Sequence, residues 1–194
     1  MEKRVGATHM RVAKNHGDAD AYLTLVQLSN EANQLSQQGN LHSAERLYRS
    51  ILAKKPAAGF DDVSIALTQN EFGVVLRQLG KLNEALAVLQ SALAVRERFD
   101  REAGVTIALS DSNITRDEIA KVYEAQGDCK MALETREPDK RICGNGMCQM
   151  LEYKKELNGC SRCKCVFYCG KACQRDDWQR HKKHCQPIKA AVAK

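Results

Sequence analysis

Residues 143–185 read CGNGMCQMLEYKKELNGCSRCKCVFYCGKACQRDDWQRHKKHC, and the rest of the chain is organised around this segment. Eight of its cysteine and histidine side chains fall into four ordered pairs of potential metal ligands. The pairs are Cys143 and Cys148, Cys160 and Cys163, Cys169 and Cys173, and finally His181 and Cys185. Zinc prefers thiolate sulfur and imidazole nitrogen, and four such ligands close a structural site. The eight side chains therefore predict two zinc ions.

The nine cysteines of the chain are better explained as metal ligands than as disulfides. Eight of them lie between Cys143 and Cys185, and only Cys129 lies outside. Residues 1–20 contain no continuous apolar segment, and the chain has no run of about eighteen apolar residues, so neither a secretory signal nor a membrane span is predicted. We therefore expect an intracellular protein, in the cytoplasm, the nucleus or both, where thiols stay reduced.

The length of the chain allows one ordinary domain and one small one. It has 194 residues, of which 43% are apolar, and this is typical of a globular protein. A segment of about forty residues cannot build a sufficient apolar core. Metal binding must therefore supply the folding energy of residues 143–185.

The chain before the cysteines repeats itself with a period of about 42 residues. Glycines at 39, 80 and 127 are each followed five residues later by an alanine, at 44, 85 and 132. Each glycine ends one amphipathic run, and each alanine opens the next. The segment VSIAL at 63–67 recurs as VTIAL at 105–109. This pattern predicts about three helix pairs over residues 21–136, the last one cut short by Glu137 and Pro138.

Apolar residues within each repeat follow helical spacing. The facing stripes are Leu28, Ala32 and Leu35 with Ala44, Leu47, Tyr48 and Ile51; Phe72, Gly73 and Leu76 with Ala85, Leu89 and Ala92; and Ile119, Ala120 and Tyr123 with Ala132 and Leu133. Small residues at 32, 73 and 120 should let paired helices approach closely. Pro56 should end the second helix of the first repeat.

Residues 21–136 resemble tetratricopeptide-type repeats, most closely the variety of about 42 residues found in kinesin light chains. The resemblance implies a curved protein-binding scaffold, and hence a possible second partner on the helical repeats. The other interpretation is a helical bundle that only supports its neighbour. We find no cluster of Asn, Lys or Arg at helical spacing that would mark a peptide clamp, so both interpretations stay open.

Residues 143–185 resemble the MYND zinc-finger family. The matching elements are Cys160-x2-Cys163, Tyr168-Cys169, Cys173-Gln174, Trp178 and His181-x3-Cys185. The resemblance implies a cross-braced finger in which the pairs interleave. By resemblance, Cys143, Cys148, Cys169 and Cys173 hold the first zinc, and Cys160, Cys163, His181 and Cys185 hold the second.

Spacing adds expectations of its own for this finger. His181 and Cys185 are four residues apart, so we expect both on one face of a helix, together with Gln174 and Trp178. The first pair is wider than the family pattern, because four residues separate its cysteines. Glycines 144 and 146 are expected to accommodate this extra backbone.

The remaining ligand-type residues are not expected to bind metal. Cys165 lies where the family varies, and Cys185 already completes the site near His184. Cys129 lies within a helical repeat and is expected to be a small buried hydrophobe.

The predicted fold class is all-α, with tetratricopeptide-like helical hairpins followed by a small two-zinc MYND finger made of a short hairpin and a C-terminal helix. The expected divisions are a tail or short helix at 1–20, the repeats at 21–136, a linker at 137–142, the finger at 143–185 and a tail at 186–194.

The family resemblance implies a non-catalytic adaptor whose finger binds short proline-containing segments of a partner protein. The sequence Val166-Phe167-Tyr168 predicts a small exposed strand whose edge could accept an extended peptide. By resemblance, Gln174 and Trp178 complete the contact, although Trp178 could instead pack over the zinc knuckle. Some MYND fingers accompany a catalytic SET domain, for which this sequence leaves no room. Both predicted zinc sites are saturated, so no enzyme is expected.

The alternative function is a nucleic-acid-associated or transcription-regulatory finger with a basic C-terminal face. The basic residues are Lys164, Lys171, Arg175, Arg180, Lys182 and Lys183, and they lie close to aromatic residues in sequence. The formal net charge of +6 treats every cysteine as neutral. Seven ligating thiolates subtract seven and two zinc ions add four, which leaves +3. This modest surplus makes nucleic acid the less favoured partner.

Overall fold

The computed structural model describes residues 16–104, 111–137, 140–148 and 157–187. The predicted VTIAL repeat at 105–109 lies outside the described residues, as do most of the two predicted tails and part of the linker. The chain divides into two compact units, residues 1–99 and 100–194. Each unit is described below by itself.

The first unit is helical. It contains α1 (His16–Gln37), α2 (Leu41–Lys54), α3 (Asp62–Gln78) and most of α4 (Leu82–Glu102). Helix α1 begins five residues before the predicted start of the repeats, and α2 ends two residues before Pro56.

Glycines form the tight turns inside the helix pairs. Gly39 lies between α1 and α2 with φ 81°, and Gly80 lies between α3 and α4 with φ 76°. A residue with a Cβ atom is strained in this left-handed region, whereas glycine is not. The predicted pairing of glycine turns with helix starts is therefore present in the structure.

The first unit packs through the predicted small and aromatic positions. Tyr48 is buried on α2 and donates a hydrogen bond of 2.6 Å to Asn33 on α1. A Cβ atom added at Gly73 would lie 2.5 Å from Cγ of Leu89, so this glycine lets α3 approach α4 closely. Ala32 and Ala44 are also fully buried.

The second unit contains one further helix pair and the cysteine-rich segment. The pair consists of α5 (Asp111–Ala125) and the short α6 (Cys129–Thr135), joined through Gly127 with φ 80°. The cysteine-rich segment contains β1 (Asn158–Gly159), β2 (Phe167–Tyr168) and α7 (Lys171–His181).

These elements confirm an all-α fold. Across the described ranges, seven helices accompany a single two-stranded antiparallel sheet, in which Asn158 pairs with Tyr168 and Gly159 with Phe167. Among the helices that the structure describes, none is both long and apolar enough to cross a membrane.

The α5–α6 hairpin and the cysteine-rich segment share one core. Ala120 of α5 and Ala132 of α6 belong to the same buried cluster as Cys163, Val166 and Tyr168. Tyr123 and Leu133 pack against this cluster from its edge. The inner face of the last helix pair is therefore covered by the cysteine-rich segment.

Candidate metal centres

The hairpin between β1 and β2 carries one predicted ligand pair in its turn. The backbone N–H of Cys160 donates to the carbonyl of Val166 at 2.8 Å, and the N–H of Lys164 donates to the carbonyl of Cys160 at 2.9 Å. Lys164 has φ 58°, a left-handed conformation that a tight turn requires. The turn brings Cys160 and Cys163 together at one end of the hairpin.

The first cluster of potential ligands contains Cys143, Cys148, Cys169 and Cys173, whose sulfur atoms all lie within 4.8 Å of one another. The Cys148 and Cys169 sulfurs are 3.6 Å apart, and those of Cys169 and Cys173 are 3.3 Å apart. The interleaving of the first and third pairs is therefore present.

Asn145 stabilises the turn of the widened first knuckle, a role that the sequence analysis did not predict. The Asn145 side chain accepts a hydrogen bond of 3.0 Å from the N–H of Met147, and its carbonyl accepts one of 2.9 Å from the N–H of Cys148. Gly144 allows the backbone of the knuckle to approach Val166 closely, because an added Cβ atom would lie 2.6 Å from Cγ1 of Val166. A Cβ atom added at Gly146 would meet no atom within 4 Å in the part of the chain that the structure describes.

The second cluster contains Cys160, Cys163, His181 and Cys185, and all four side chains are buried. The Cys160 and Cys185 sulfurs are 3.7 Å apart, and the Cys163 sulfur lies 3.4 Å from Nε2 of His181. The ligand atoms of this cluster also lie within 4.8 Å of one another. The second and fourth pairs therefore meet, as the cross-brace requires.

The prediction that His181 and Cys185 lie on one helix is wrong. Helix α7 ends at His181, and the chain then turns, with the N–H of His184 donating to the carbonyl of His181 at 3.0 Å. Cys185 follows this turn. The two side chains still converge, because the turn folds Cys185 back toward the helix end.

Both clusters fit zinc. Zinc–sulfur bonds of about 2.3 Å in a tetrahedron separate the sulfurs by about 3.8 Å. Three sulfur pairs lie close to this value, namely Cys148 and Cys169 at 3.6 Å, Cys160 and Cys185 at 3.7 Å, and Cys169 and Cys173 at 3.3 Å. Each cluster supplies four donors of the preferred kinds, which leaves no open position for a catalytic water. Bound zinc would fix the four chain segments that carry these pairs and stabilise the fold.

Burial opposes ionisation at several of these thiols when no metal is bound. It raises the pKa of Cys143 well above its usual range, that of Cys169 to about 11 and that of Cys185 to about 12. A metal ion must displace these protons, since the thiolate is the ligand.

Cys163 and His181 have the opposite tendency. Hydrogen bonds from the Cys165 thiol and from His181 lower the pKa of Cys163 to about 3, although burial opposes this change. Burial would lower the pKa of His181, but the nearby Cys163 sulfur and Glu124 carboxylate outweigh this effect and raise that pKa to about 10. Both shifts have the same physical cause, because a close contact between a sulfur and an imidazole favours the charged form of each.

A buried ionic network joins the second cluster to the last helix pair. Arg136, which follows α6 and is 2% exposed, pairs with Asp117 at 2.7 Å and with Glu124 at 2.5 Å. It also donates a hydrogen bond of 2.6 Å to the carbonyl of Cys165. Burial would raise the pKa of Glu124, but Arg136, His181 and Arg180 together lower it well below its usual value.

The network continues along α7. Asp177 accepts a hydrogen bond of 2.8 Å from the hydroxyl of Tyr168 and pairs with Arg180 at 2.6 Å. Arg180 also pairs with Glu124 at 2.9 Å. This arginine, which the sequence assigned to a basic surface, therefore serves an internal contact. Burial, followed by the hydrogen bond to Asp177, raises the pKa of Tyr168 far above its usual value.

The predicted exposure of the strand at 166–168 is wrong. The side chains of Val166, Phe167 and Tyr168 are all buried. One main-chain edge of β2 pairs with β1, and on the other edge the carbonyl of Phe167 accepts a hydrogen bond of 2.8 Å from Gly144. The strand is buried because the widened knuckle covers it on the side opposite to β1.

Gln174 and Trp178 both lie on α7 at the surface. Gln174 is half-buried. Trp178, the single tryptophan of the chain, is 39% exposed. The indole ring meets the His181 ring edge-on, with centroids 6.0 Å apart. Trp178 therefore packs against the second cluster and also presents surface to solvent.

The predicted non-ligands lie outside both clusters. Cys165 is buried beside Cys163, and His184 follows the end of α7. Cys129 is buried, as expected, and its thiol lies 3.7 Å from the carbonyl of Gln186.

Sequence reasoning missed the supporting charges Asp117, Glu124 and Arg136. A signal was available, because Asp117 and Glu124 are seven residues apart, on the same helical face as the predicted core positions Ala120 and Tyr123. Two carboxylates in an otherwise apolar stripe require buried partners.

Comparison with protein families matches two parts of the chain. A tetratricopeptide repeat matches residues 65–98, which lie in α3 and α4. A MYND finger matches residues 141–185 and includes both clusters.

Curated relatives match over short stretches. The N-lysine methyltransferase SMYD2 of Bos taurus is 48% identical over 42 residues, which are 21% of this chain and 10% of that protein. Egl nine homolog 1 of Homo sapiens is 42% identical over 45 residues, 23% of this chain and 11% of that protein. Tudor domain-containing protein 1 of Mus musculus is 46% identical over 35 residues, 18% of this chain and 3% of that protein.

The chain thus spans about a tenth of these relatives or less, and the match to SMYD2 is confined to the finger. Zinc-binding fingers of this kind and tetratricopeptide repeats are both modules that mediate protein–protein interactions. Residues 141–185 of this chain are a MYND zinc finger, and a tetratricopeptide repeat precedes it at residues 65–98.

Proposed function

We propose that this chain is a non-catalytic intracellular adaptor whose finger binds a short proline-containing segment of a partner protein. The observation that carries the proposal is the exposed indole of Trp178, which packs edge-on against His181 of the second cluster. Aromatic surfaces recognise polyproline segments, and tryptophan is enriched among residues that dominate binding energy. The proposed contact surface consists of Gln174 and Trp178 on α7.

In this proposal zinc has a structural role. Cys143, Cys148, Cys169 and Cys173 hold one ion, and Cys160, Cys163, His181 and Cys185 hold the other. Four protein ligands at each ion support a non-catalytic assignment. Reduced cysteines at both sites support a cytoplasmic or nuclear location. The helical repeats could carry a second partner.

The burial of Val166, Phe167 and Tyr168 changes how the peptide would be bound. Their side chains support the surface from below, since β2 contacts α7 through the hydrogen bond between Tyr168 and Asp177. We therefore assign direct contact to Gln174 and Trp178, and a supporting role to the strand.

Replacing Trp178 by alanine should weaken the binding of a proline-rich peptide to the full chain by more than about tenfold, because a central aromatic anchor typically contributes 2 kcal/mol or more. Calorimetric titration measures the affinity. Gln179→Ala is the matched control, because Gln179 is an exposed neighbour on the same helix and should leave the affinity unchanged.

Equal affinities for Trp178→Ala, Gln179→Ala and the parent chain would reject the proposed surface. A titration with a short DNA duplex, performed in parallel, tests the alternative function of nucleic-acid binding. Binding of the duplex that weakens steeply with salt, together with no binding of the peptide, would favour nucleic acid. Exposed Lys171, Arg175 and Lys182 remain available for such contacts, whereas Arg180 is paired internally.

A further inference from the structure

We propose that Glu124 of α5 is a positioning residue for the second zinc site, orienting the imidazole of His181 from outside the finger. This inference rests on the zinc assignment proposed above. It gives the last helix pair a specific role, since a metal ligand of the finger is oriented by a residue that lies before residue 141.

The two nitrogen atoms of His181 face different partners. Nε2 lies 3.4 Å from the sulfur of Cys163, within the ligand cluster. Nδ1 lies 3.5 Å from Oε2 of Glu124, and both side chains are 1% exposed. Nδ1 is buried and makes no hydrogen bond within the described part of the chain. Glu124 is therefore placed to accept a hydrogen bond from Nδ1–H after a small approach of the two side chains.

This arrangement matches a general requirement of histidine ligands. A metal-ligating imidazole donates its second N–H to a carboxylate, a carbonyl or water, and this contact fixes the tautomer and the ring orientation. With Nε2 directed at the metal, the proton belongs on Nδ1, where Glu124 lies.

Glu124 is itself held in place from two sides. Arg136 pairs with Oε1, and Arg180 pairs with Oε2 at 2.9 Å. Arg136 also donates to the carbonyl of Cys165, two residues after the ligand Cys163. The carboxylate therefore has a fixed position relative to both the finger backbone and His181, as a positioning role requires.

The test compares Glu124→Gln and Glu124→Ala with Asp117→Asn in the full chain. Asp117 is a matched control, because it is also buried on α5 and also pairs with Arg136, but its second oxygen pairs with Lys121 at 3.0 Å. Cobalt(II) replaces zinc as a probe, because its visible spectrum distinguishes a site with four cysteines from one with three cysteines and a histidine. Competition with a chelator then gives the affinity of each site.

Glu124→Ala should weaken metal binding at the three-cysteine site by about 10- to 100-fold and leave the four-cysteine site unchanged. Glu124→Gln, which keeps an acceptor and the side-chain shape, should lose less metal affinity at this site than Glu124→Ala. Asp117→Asn should retain the parent affinity at both sites. The proton signal of His181 Nδ1–H in the zinc-loaded protein should shift in Glu124→Gln but not in Asp117→Asn.

Two results would overturn the inference, namely an unchanged affinity and Nδ1–H signal in both Glu124 variants, or equal losses in Asp117→Asn and Glu124→Gln. If Glu124→Ala does not fold, the comparison of Glu124→Gln with Asp117→Asn decides. Absence of the three-cysteine cobalt spectrum from the parent chain would instead reject the zinc assignment itself, so the two failures are distinguishable.

Discussion

Removing zinc with a chelator is expected to unfold the cysteine-rich segment and, with it, the α5–α6 pair. Structural zinc in finger peptides contributes about 10–16 kcal/mol of apparent binding energy, and this segment has little apolar core of its own. Helix α6 has only seven residues, too few to persist without tertiary contacts. Its inner face and that of α5 pack on the cysteine cluster. Helices α1–α3 lie in the other unit and should remain.

Circular dichroism and the fluorescence of the single tryptophan measure this effect. The helical signal should fall by more than the loss of α7 alone can explain, and Trp178 emission should shift to that of a fully exposed indole. Excess zinc added under reducing conditions should restore both signals. An unchanged spectrum after complete metal removal would show that zinc does not hold this unit together.

Replacing Arg136 by alanine is expected to destabilise the second unit by about 3–5 kcal/mol. Removing one partner of a buried ion pair leaves uncompensated charges, and the cost of this exceeds the worth of the pair itself. Here the carboxylates of Asp117 and Glu124 would both lose a partner, and the carbonyl of Cys165 would lose its donor. Arg136→Lys should recover only part of the loss, because an ammonium group cannot span three acceptors in a plane.

Lys130→Ala provides the control for this variant. Lys130 also belongs to α6, but its ion pair with Glu134 spans 3.8 Å at the surface, where such pairs contribute little. Urea unfolding of the zinc-loaded chain, followed by a probe in the second unit, gives both free energies. Equal effects of Arg136→Ala and Lys130→Ala would contradict the structural role of the buried network.

The parts of the fold that could be predicted are those set by local chemistry. The turn glycines Gly39, Gly80 and Gly127 have backbone conformations that other residues rarely adopt. The positions of the turns inside the helix pairs could therefore be predicted from the sequence. The grouping of the cysteines into pairs reflects the coordination preferences of zinc. The pairing of first with third and second with fourth came from family resemblance, and the structure brings the same residues together.

The features that could not be predicted depend on contacts between segments that are distant in the sequence. The motif Val166-Phe167-Tyr168 has the composition of an exposed edge strand, yet Gly144 and the α5–α6 pair bury it. The four-residue spacing of His181 and Cys185 is equally compatible with a helix or a turn, and a turn is present. The residues next to Arg136 in the sequence do not indicate that it is buried in an ion pair. Its partners Glu124 and Asp117 lie 12 and 19 residues earlier in the chain.

The most direct test of a two-zinc finger is the metal content of the intact, reduced chain, measured by native mass spectrometry. Two zinc ions per chain are expected, and Cys129→Ala should also retain two, because Cys129 lies outside both clusters. A parent chain that binds one zinc ion at saturation would contradict the two-zinc assignment and would implicate the widened knuckle between Cys143 and Cys148.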